Sequence, residues 1–252
     1  MERPKAVIFD LDDTLAESFR PPKAEVVAKV KSLLEYLPVA IMTGAGFKRM
    51  EEQFLGSFLD SAHLDRFYLF PNSSAQCLVH RDTDWTTLYN LALTIEERER
   101  IKRTIRETLD RYSELRDIPH WGERLFDREA QVAYTPTGSE ASLEVKRTWD
   151  PDGSKRAILW ETLSRALPDC EVLLGGLTTI DITRKGINKS YGVKWFAEHL
   201  DIAPAQMYYV GDAFYEGGND RIVIPTGVVT RAVSGPEETP AVLDELLAAC
   251  AA

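Results

Sequence analysis

The chain has 252 residues, 44% of them hydrophobic, and its 30 basic and 40 acidic side chains give a net charge of -10. This length and apolar content suit one large or two modest folded domains. No stretch approaches the ~20 apolar residues of a membrane span, and the N-terminus leads into too short an apolar run for a signal peptide. The acidic excess opposes nonspecific binding to nucleic acid or to an anionic membrane. We therefore expect a cytoplasmic protein that acts on a small partner.

Cysteine and histidine usage excludes two further classes of protein. Cys77, Cys170 and Cys250 are odd in number and far apart, with no C-x-x-C pair, and the four histidines show no paired spacing. These patterns argue against both a disulfide framework and a zinc site.

The first predicted element is a buried strand that ends in carboxylates. Four apolar residues at 6–9 precede Asp10, Asp12 and Thr14. Residues two apart on an extended segment point the same way, so both carboxylates can face one crevice, where their repulsion calls for a cation or a shared proton. Mg²⁺ is a hard ion that takes oxygen ligands. An Asp-rich turn that caps the following helix is the structural alternative.

The next elements predict a parallel sheet. Apolar residues at helical spacing over 22–36 lead to a strand over 39–42 that ends in Thr43-Gly44, and a helix over 47–58 leads to a strand over 66–70. This β-α-β-α-β order is typical of a parallel sheet with helices on its faces. Because ligands bind beyond the carboxyl ends of such strands, Thr43 is expected near Asp10.

From about residue 84 the pattern changes to that of a smaller α+β domain. A charged helix over 96–111 precedes short alternating segments around Leu125 and Val132, and a helix over 152–167 precedes strands over 170–174 and 178–182. Two α-β-β units in series predict one antiparallel sheet.

Beyond residue 184 the parallel pattern returns. A helix over 190–200 follows Lys189, and a strand over 207–210 ends in Gly211-Asp212, with Asp220 eight residues later. The sequence also predicts late strands at 222–224 and 228–229 and a last helix from Thr239. The predicted domains are a core formed by residues 1–83 with 184–252, and an inserted domain formed by residues 84–183.

Taken together, these motifs carry a family resemblance. Asp10-x-Asp12-x-Thr14, Thr43-Gly44, Lys189 and Gly211-Asp212 occur in the order of the haloacid dehalogenase (HAD) superfamily of phosphotransferases, which the chain resembles. A second set is similar to the eukaryotic-type phosphomannomutase branch and to sugar-phosphate phosphatases with the same cap; it comprises Phe70-Pro71-Asn72, Arg128, Pro136, Gly138, Gly175-Gly176, Thr179, Asp181 and Gly217-Gly218-Asn219-Asp220. The implied fold class is α/β, a Rossmann-like parallel-sheet core with an inserted α+β (αββαββ) cap domain.

The resemblance implies a role for each matched residue. Asp10 would be the nucleophile and Asp12 the general acid and base, while Thr43 and Lys189 would hold phosphate oxygens. The remaining assignments are Mg²⁺ binding by Asp10, Asp12 (through its carbonyl), Asp212 and Asp220, and substrate binding by Gly44, Arg128, Thr179 and Asp181. Structural alternatives are that Thr43 caps the next helix, that Lys189 is a solvated helix start, and that Asp220 is a turn former.

Two departures from the branch bear on the reaction. Ser139 stands where the mutases have a second phosphate-gripping arginine, and Ala133 where they have an asparagine. We therefore expect a Mg²⁺-dependent phosphatase, monomer or homodimer, that hydrolyses a phosphorylated sugar or similar small metabolite through a phosphoaspartate. The alternative is a phosphomannomutase or phosphoglucomutase that interconverts hexose 1- and 6-phosphates. A catalytically silent binding protein is a third reading, against which the complete set of site residues argues.

Overall fold

The computed structural model describes residues 2–251 and divides the chain into two compact units. The core unit contains the chain up to Asn90 and from Lys189 onward, and the inserted unit is Leu91–Asn188. Within residues 2–251, no helix has the length and apolar character needed to cross a membrane.

The first part of the core unit alternates buried strands with helices. Its elements are β1 (Ala6–Phe9), α1 (Ala24–Leu34), β2 (Val39–Met42), α2 (Phe47–Gln53), β3 (Phe67–Phe70), the single turn α3 (Pro71–Ser74), β4 (Gln76–Arg81) and β5 (Asp84–Asn90). Every residue of β1 and β2 is buried, as expected for strands that are covered on both faces. Helix α1 buries a stripe that runs from Val26 to Leu34.

The inserted unit has the predicted α+β composition with two additional short helices. Its elements are α4 (Ile95–Arg111), α5 (Ser113–Arg116), β6 (Leu125–Asp127), β7 (Val132–Tyr134), α6 (Leu143–Trp149), α7 (Ser154–Ala166), β8 (Cys170–Gly175) and β9 (Thr179–Arg184). The four strands form an antiparallel sheet in the order β6-β7-β9-β8. Its core packs apolar residues of α4 and α7, such as Ile101 and Leu163, against Val132, Ile180 and Ile182 of the sheet.

The chain then returns to the core unit. Its last elements are α8 (Lys189–His199), β10 (Met207–Gly211), β11 (Val229–Ala232) and α9 (Thr239–Ala251). The predicted strand at 222–224 is wrong, because these residues lie in a 3₁₀ segment, Arg221–Thr226. An apolar run of three residues does not distinguish a strand from a buried helical turn.

The sheet of the core unit brings the strand ends of the sequence motifs to one edge. Its order is β11-β10-β1-β2-β3-β4-β5, parallel from β11 to β3 and antiparallel at β4 and β5. Phe9 is in register with Val210 of β10 on one side and with Ile41 of β2 on the other. Asp10 and the two motifs that follow β2 and β10 therefore share one edge of the sheet. The predicted α/β fold class is confirmed.

The domain boundaries differ from the predicted ones. Residues Asp84–Asn90, predicted to open the inserted domain, pair with β4 in the sheet of the core unit. The inserted unit accordingly begins at Leu91 and ends at Asn188, later than the predicted 84 and 183.

Candidate active site

Asp10 and Lys189 form the centre of a buried polar cluster in the core unit. Asp10 follows β1 directly, and its N–H donates to the carbonyl of Val210 at 2.9 Å. Lys189 is the first residue of α8, and its Nζ donates to Oδ1 of Asp10 and to Oδ1 of Asp220, both at 2.6 Å. Lys189 is only 3% exposed. The alternative of a solvated helix start is therefore wrong.

Asp220 is held by donors on both of its carboxylate oxygens. Besides Lys189, Oδ1 accepts from the hydroxyl of Tyr209 at 2.6 Å, and Oδ2 accepts from the N–H of Ala213 at 3.1 Å. A Cβ on Gly211 would lie 2.4 Å from Oδ2 of Asp220. Gly211 is therefore needed so that this fully buried carboxylate can approach the end of β10.

Asp212 completes the cluster from the end of β10. Its Oδ1 accepts from the hydroxyl of Thr14 at 3.2 Å, and its side chain is partly buried. One carboxylate oxygen from each of Asp10, Asp212 and Asp220 lies within 4.8 Å of the others. The structure thus brings together three of the four residues that were predicted to bind a metal.

The electrostatics of the cluster show an excess of negative charge. Burial raises the pKa of Asp10 well above its usual range. The charge of Lys189 lowers this pKa, whereas the neighbouring carboxylates Asp220 and Asp212 raise it further. Burial and then the charge of Asp220 raise the pKa of Asp212 to about 6. Burial opposes the charged form of Lys189, but Asp10 and Asp220 together raise its pKa, so it stays an ammonium. A single ammonium among three carboxylates cannot neutralise them all.

This donor set fits Mg²⁺. The oxygen atoms are those of carboxylates, which hard divalent cations prefer, and their mutual distances suit ligands of one ion. Because both oxygens of Asp220 already accept hydrogen bonds, Asp10 and Asp212 are the better placed for direct coordination, with Asp220 fixing Lys189 beside them.

The side chain of Asp12 belongs to a second contact, separate from the cluster. Nη2 of Arg49, on α2, donates to Oδ1 of Asp12. The side chain of Asp12 is 24% exposed and that of Arg49 is 21% exposed. The Asp12 side chain is therefore closer to solvent than that of Asp10, which is buried.

Thr43 is buried at the end of β2, as predicted from its motif. Its N–H donates to the carbonyl of Phe70 at 3.1 Å, and its Oγ1 accepts from the N–H of Ala45 at 3.1 Å. Helix α2 begins later, after Gly46. The alternative that Thr43 caps this helix is therefore wrong; its side chain stabilises the turn that also contains Gly44.

The other predicted substrate-binding residues lie in the inserted unit. Arg128 is in the β6–β7 turn, where its Nη1 donates to Oε1 of Gln131 at 2.9 Å. Thr179 opens β9, and Asp181 follows on the same strand, buried and in register with Ala133. All three lie on the antiparallel sheet or in its turns.

Comparison with known proteins identifies the family. The family model for eukaryotic phosphomannomutase matches residues 25–249. The chain belongs to the eukaryotic phosphomannomutase family. It is accordingly an HAD-type enzyme of the phosphatase or hexose-phosphate mutase kind.

Individual members of the phosphomannomutase family align along most of the chain. A phosphomannomutase of Spinacia oleracea is 25% identical over 239 residues, covering 92% of this chain and 91% of that protein. One from Arabidopsis thaliana is 24% identical over 241 residues, covering 93% of each. The fold also resembles that of IMP-bound, N-terminally truncated IMP-nucleotidase from Plasmodium falciparum, with a TM-score of 0.73 at 15% identity over 98% of this chain and 68% of the other.

Some contacts in this phosphomannomutase-family site are not evident from the motifs. Tyr209 precedes the Gly211-Asp212 motif by two residues, and its hydroxyl reaches Asp220. The alternation of side chains along β10 does indicate that Tyr209 lies near the site, because it places Tyr209 and Gly211 on the same face of the strand. The sequence gives less indication of the contact made by Arg49, since a lysine or arginine in a surface helix is commonly solvated.

Proposed function

We propose that the protein is a Mg²⁺-dependent phosphatase that acts on a phosphorylated sugar or similar small metabolite through a phosphoaspartate on Asp10. The observation that carries the proposal is the buried Asp10 carboxylate at the end of β1, bonded to the ammonium of Lys189 beside Asp212 and Asp220. A cytoplasmic location and a monomeric or homodimeric state stay predictions.

In the first half-reaction Asp10 attacks phosphorus, and the bond from phosphorus to the leaving oxygen breaks. Asp12 gives its proton to the departing sugar oxygen. In the second half-reaction Asp12 takes a proton from the attacking water, and the acyl phosphate on Asp10 is hydrolysed. Two easier displacements thus replace one difficult one.

The remaining core residues bind and neutralise charge. Lys189 and the hydroxyl of Thr43 hold phosphate oxygens, and Lys189 is preorganised by Asp220. Asp10, Asp212 and the backbone carbonyl of Asp12 would hold the metal ion, and Asp220 would support the site by fixing Lys189 beside it. Mg²⁺, when bound, neutralises the charge of the phosphate and of the carboxylates and stabilises the transition state.

Substrate specificity is assigned to Gly44 in the core unit and to Arg128, Thr179 and Asp181 in the inserted unit. Hydrolysis rather than transfer is favoured by Ser139, since it cannot supply the bidentate clamp of an arginine on a second phosphate. Phosphomannomutase or phosphoglucomutase activity is the second candidate. The family match over residues 25–249 favours it.

The test is phosphate release with Mg²⁺ from a panel of hexose and pentose monophosphates, nucleotides and phosphoglycerates, with EDTA as the negative control. We expect Asp10→Asn to lower turnover at least about 10³-fold, while thermal unfolding shows a folded protein, because loss of a buried, crowded carboxylate removes repulsion. Asp13→Asn is the matched control, since this neighbouring carboxylate bonds to Ser18 instead. It should retain activity.

Two results would redirect the proposal. Substantial turnover by Asp10→Asn would remove Asp10 as the nucleophile. If wild-type protein releases no phosphate but interconverts hexose 1- and 6-phosphates once a hexose bisphosphate is added, the mutase candidate replaces the phosphatase.

A further inference from the structure

Arg49, on α2, donates a hydrogen bond to the side chain of Asp12, the proposed general acid and base. We propose that Arg49 is a positioning residue that holds the Asp12 carboxylate where it can protonate the leaving group. This inference rests on the proposed function and deepens it. It concerns a charged side chain on α2, outside the cluster of Asp10, Lys189, Asp212 and Asp220.

Three groups fix the guanidinium of Arg49. Its carbon lies 4.0 Å from the centroid of the Phe19 ring, a cation–π distance, and Nε donates to Oε1 of Gln53 one turn later on α2 at 3.2 Å. Nη2 donates to Oδ1 of Asp12. Because Phe19 and Gln53 already hold the guanidinium, Arg49 loses little further side-chain entropy when it binds the Asp12 carboxylate.

Asp12 needs such a partner because of its place in the chain. It lies beyond the end of β1, and its neighbour Asp13 has left-handed backbone with a φ of 58°. At 24% exposed, its carboxylate lies near solvent. The contact with Arg49 engages Oδ1, which leaves Oδ2 to face a leaving group.

The chemical consequence falls on one step of the reaction. As the Asp10 oxygen bonds to phosphorus and the ester bond breaks, the departing oxygen takes the proton of Asp12. A misplaced Asp12 slows this step in proportion to the basicity of the leaving oxygen. Loss of Arg49 should therefore harm esters of basic alcohols and spare esters of weakly basic ones.

The experiment compares two esters of similar shape, phenyl phosphate and p-nitrophenyl phosphate. The p-nitrophenolate ion leaves readily without a proton, whereas phenolate is more basic. The ratio kcat/KM includes steps only through release of the leaving group, so it isolates the step in question. The variants are Arg49→Gln, the conservative Arg49→Lys, and Lys48→Gln as a matched control, because Lys48 is the exposed neighbour that pairs with Glu52.

For Arg49→Gln we expect kcat/KM to fall about 10- to 50-fold with phenyl phosphate and less than about 3-fold with p-nitrophenyl phosphate. Arg49→Lys should recover part of the loss, and Lys48→Gln should match wild type. A general folding defect would lower both ratios alike. Thermal unfolding of each variant checks this directly.

Equal losses on both esters, or no loss on either, would overturn the assignment of Arg49 while wild-type hydrolysis still supports the phosphatase. If wild-type protein hydrolyses neither ester nor any member of the sugar-phosphate panel, the phosphatase proposal fails, and the role of Arg49 fails with it. The two failures are thus distinguishable.

Discussion

The hydroxyl of Tyr209 is one of three donors to the Asp220 carboxylate, and it shares Oδ1 with Lys189. Tyr209→Phe removes that donor and leaves the ring in place. A hydrogen bond to a buried charged group contributes about 1.5–3 kcal/mol. We expect a loss of about 2 kcal/mol in the free energy of unfolding and a fall in kcat of about 3- to 10-fold, since Lys189 loses part of its support.

Urea unfolding and steady-state kinetics measure the two effects. Tyr208→Phe is the matched control, because Tyr208 is the adjacent residue of β10 and is only partly buried. Similar losses in the two variants would mean that Tyr209 acts through general packing and not through Asp220.

The sequence predicts the charged members of the cluster but not the hydrogen bonds that connect them. Asp10, Lys189, Asp212 and Asp220 can be found because strand ends and motif spacing place them at one edge of a parallel sheet. The motif does not show that both oxygens of Asp220 accept hydrogen bonds. One donor is the hydroxyl of Tyr209, which lies within a strand and would be predicted as an ordinary core residue. The register of β10 on β1 determines which side chains at the two strand ends lie next to each other.

Helix α7 of the inserted unit depends on a buried carboxylate that precedes it. Asp150 accepts from the N–H groups of Lys155 and Arg156 and from Nε of Arg156 at 2.9 Å. Its side chain is fully buried. Asp150→Ala leaves two helix N–H groups and a partly buried guanidinium without this acceptor, so we expect a loss of about 3–4 kcal/mol in unfolding free energy.

A second cap in the same unit provides the comparison. Thr94 and Glu97 form a capping box at the exposed start of α4, where the loss of the side-chain cap costs about 1 kcal/mol. Thr94→Ala should therefore be clearly milder than Asp150→Ala in urea unfolding followed by tryptophan fluorescence. Equal losses would show that burial of Asp150 adds nothing to its capping role.

The elements that the sequence missed or misplaced are short. The β4–β5 hairpin turns at Asp82 and Thr83, with Asp82 at a φ of 53°, and this pair lacks the glycine that marks most two-residue hairpins. The sequence therefore predicts β5 as part of the inserted domain, whereas the strand pairs with β4 in the core sheet. Long amphipathic helices such as α4 were predicted almost residue for residue, since periodicity over 17 residues leaves little ambiguity.

The carboxylate cluster adds local charge repulsion to a chain that already has a net charge of -10. The protein tolerates the cluster because the parallel sheet and α8 surround it with a packed core. Sequence composition indicates the acidic excess, but only the fold shows that three of the carboxylates are concentrated within 4.8 Å of one another. Stability should therefore depend on cations and on pH.

The sign of that dependence follows from Asp212. Its pKa in the folded protein is raised from 3.8 to about 6, by burial first and then by Asp220. Folding thus favours its protonated form, and this contribution to stability is lost as pH rises from about 4 through 6. Above pH 6 the carboxylate is ionised and destabilises the folded protein, so bound Mg²⁺ would increase stability most in that range. Below pH 6 protons compete with the ion for the same oxygen atoms.

We therefore expect a saturating concentration of Mg²⁺, about 5 mM, to raise Tm by about 3 °C or more at pH 7.5. At pH 5.5 the increase should be clearly smaller; both increases are measured relative to EDTA. Asp212→Asn should raise Tm in EDTA at pH 7.5 and abolish most of the Mg²⁺ effect. Asp201→Asn, which changes an exposed carboxylate outside the cluster, controls for net charge. A Mg²⁺ effect that is equal at both pH values, or that survives in Asp212→Asn, would mean that the ion stabilises the protein elsewhere. Asp212 follows β10, which is paired with a strand on each side, so binding of an ion there should depend on global unfolding, and a shift in Tm is the appropriate measure.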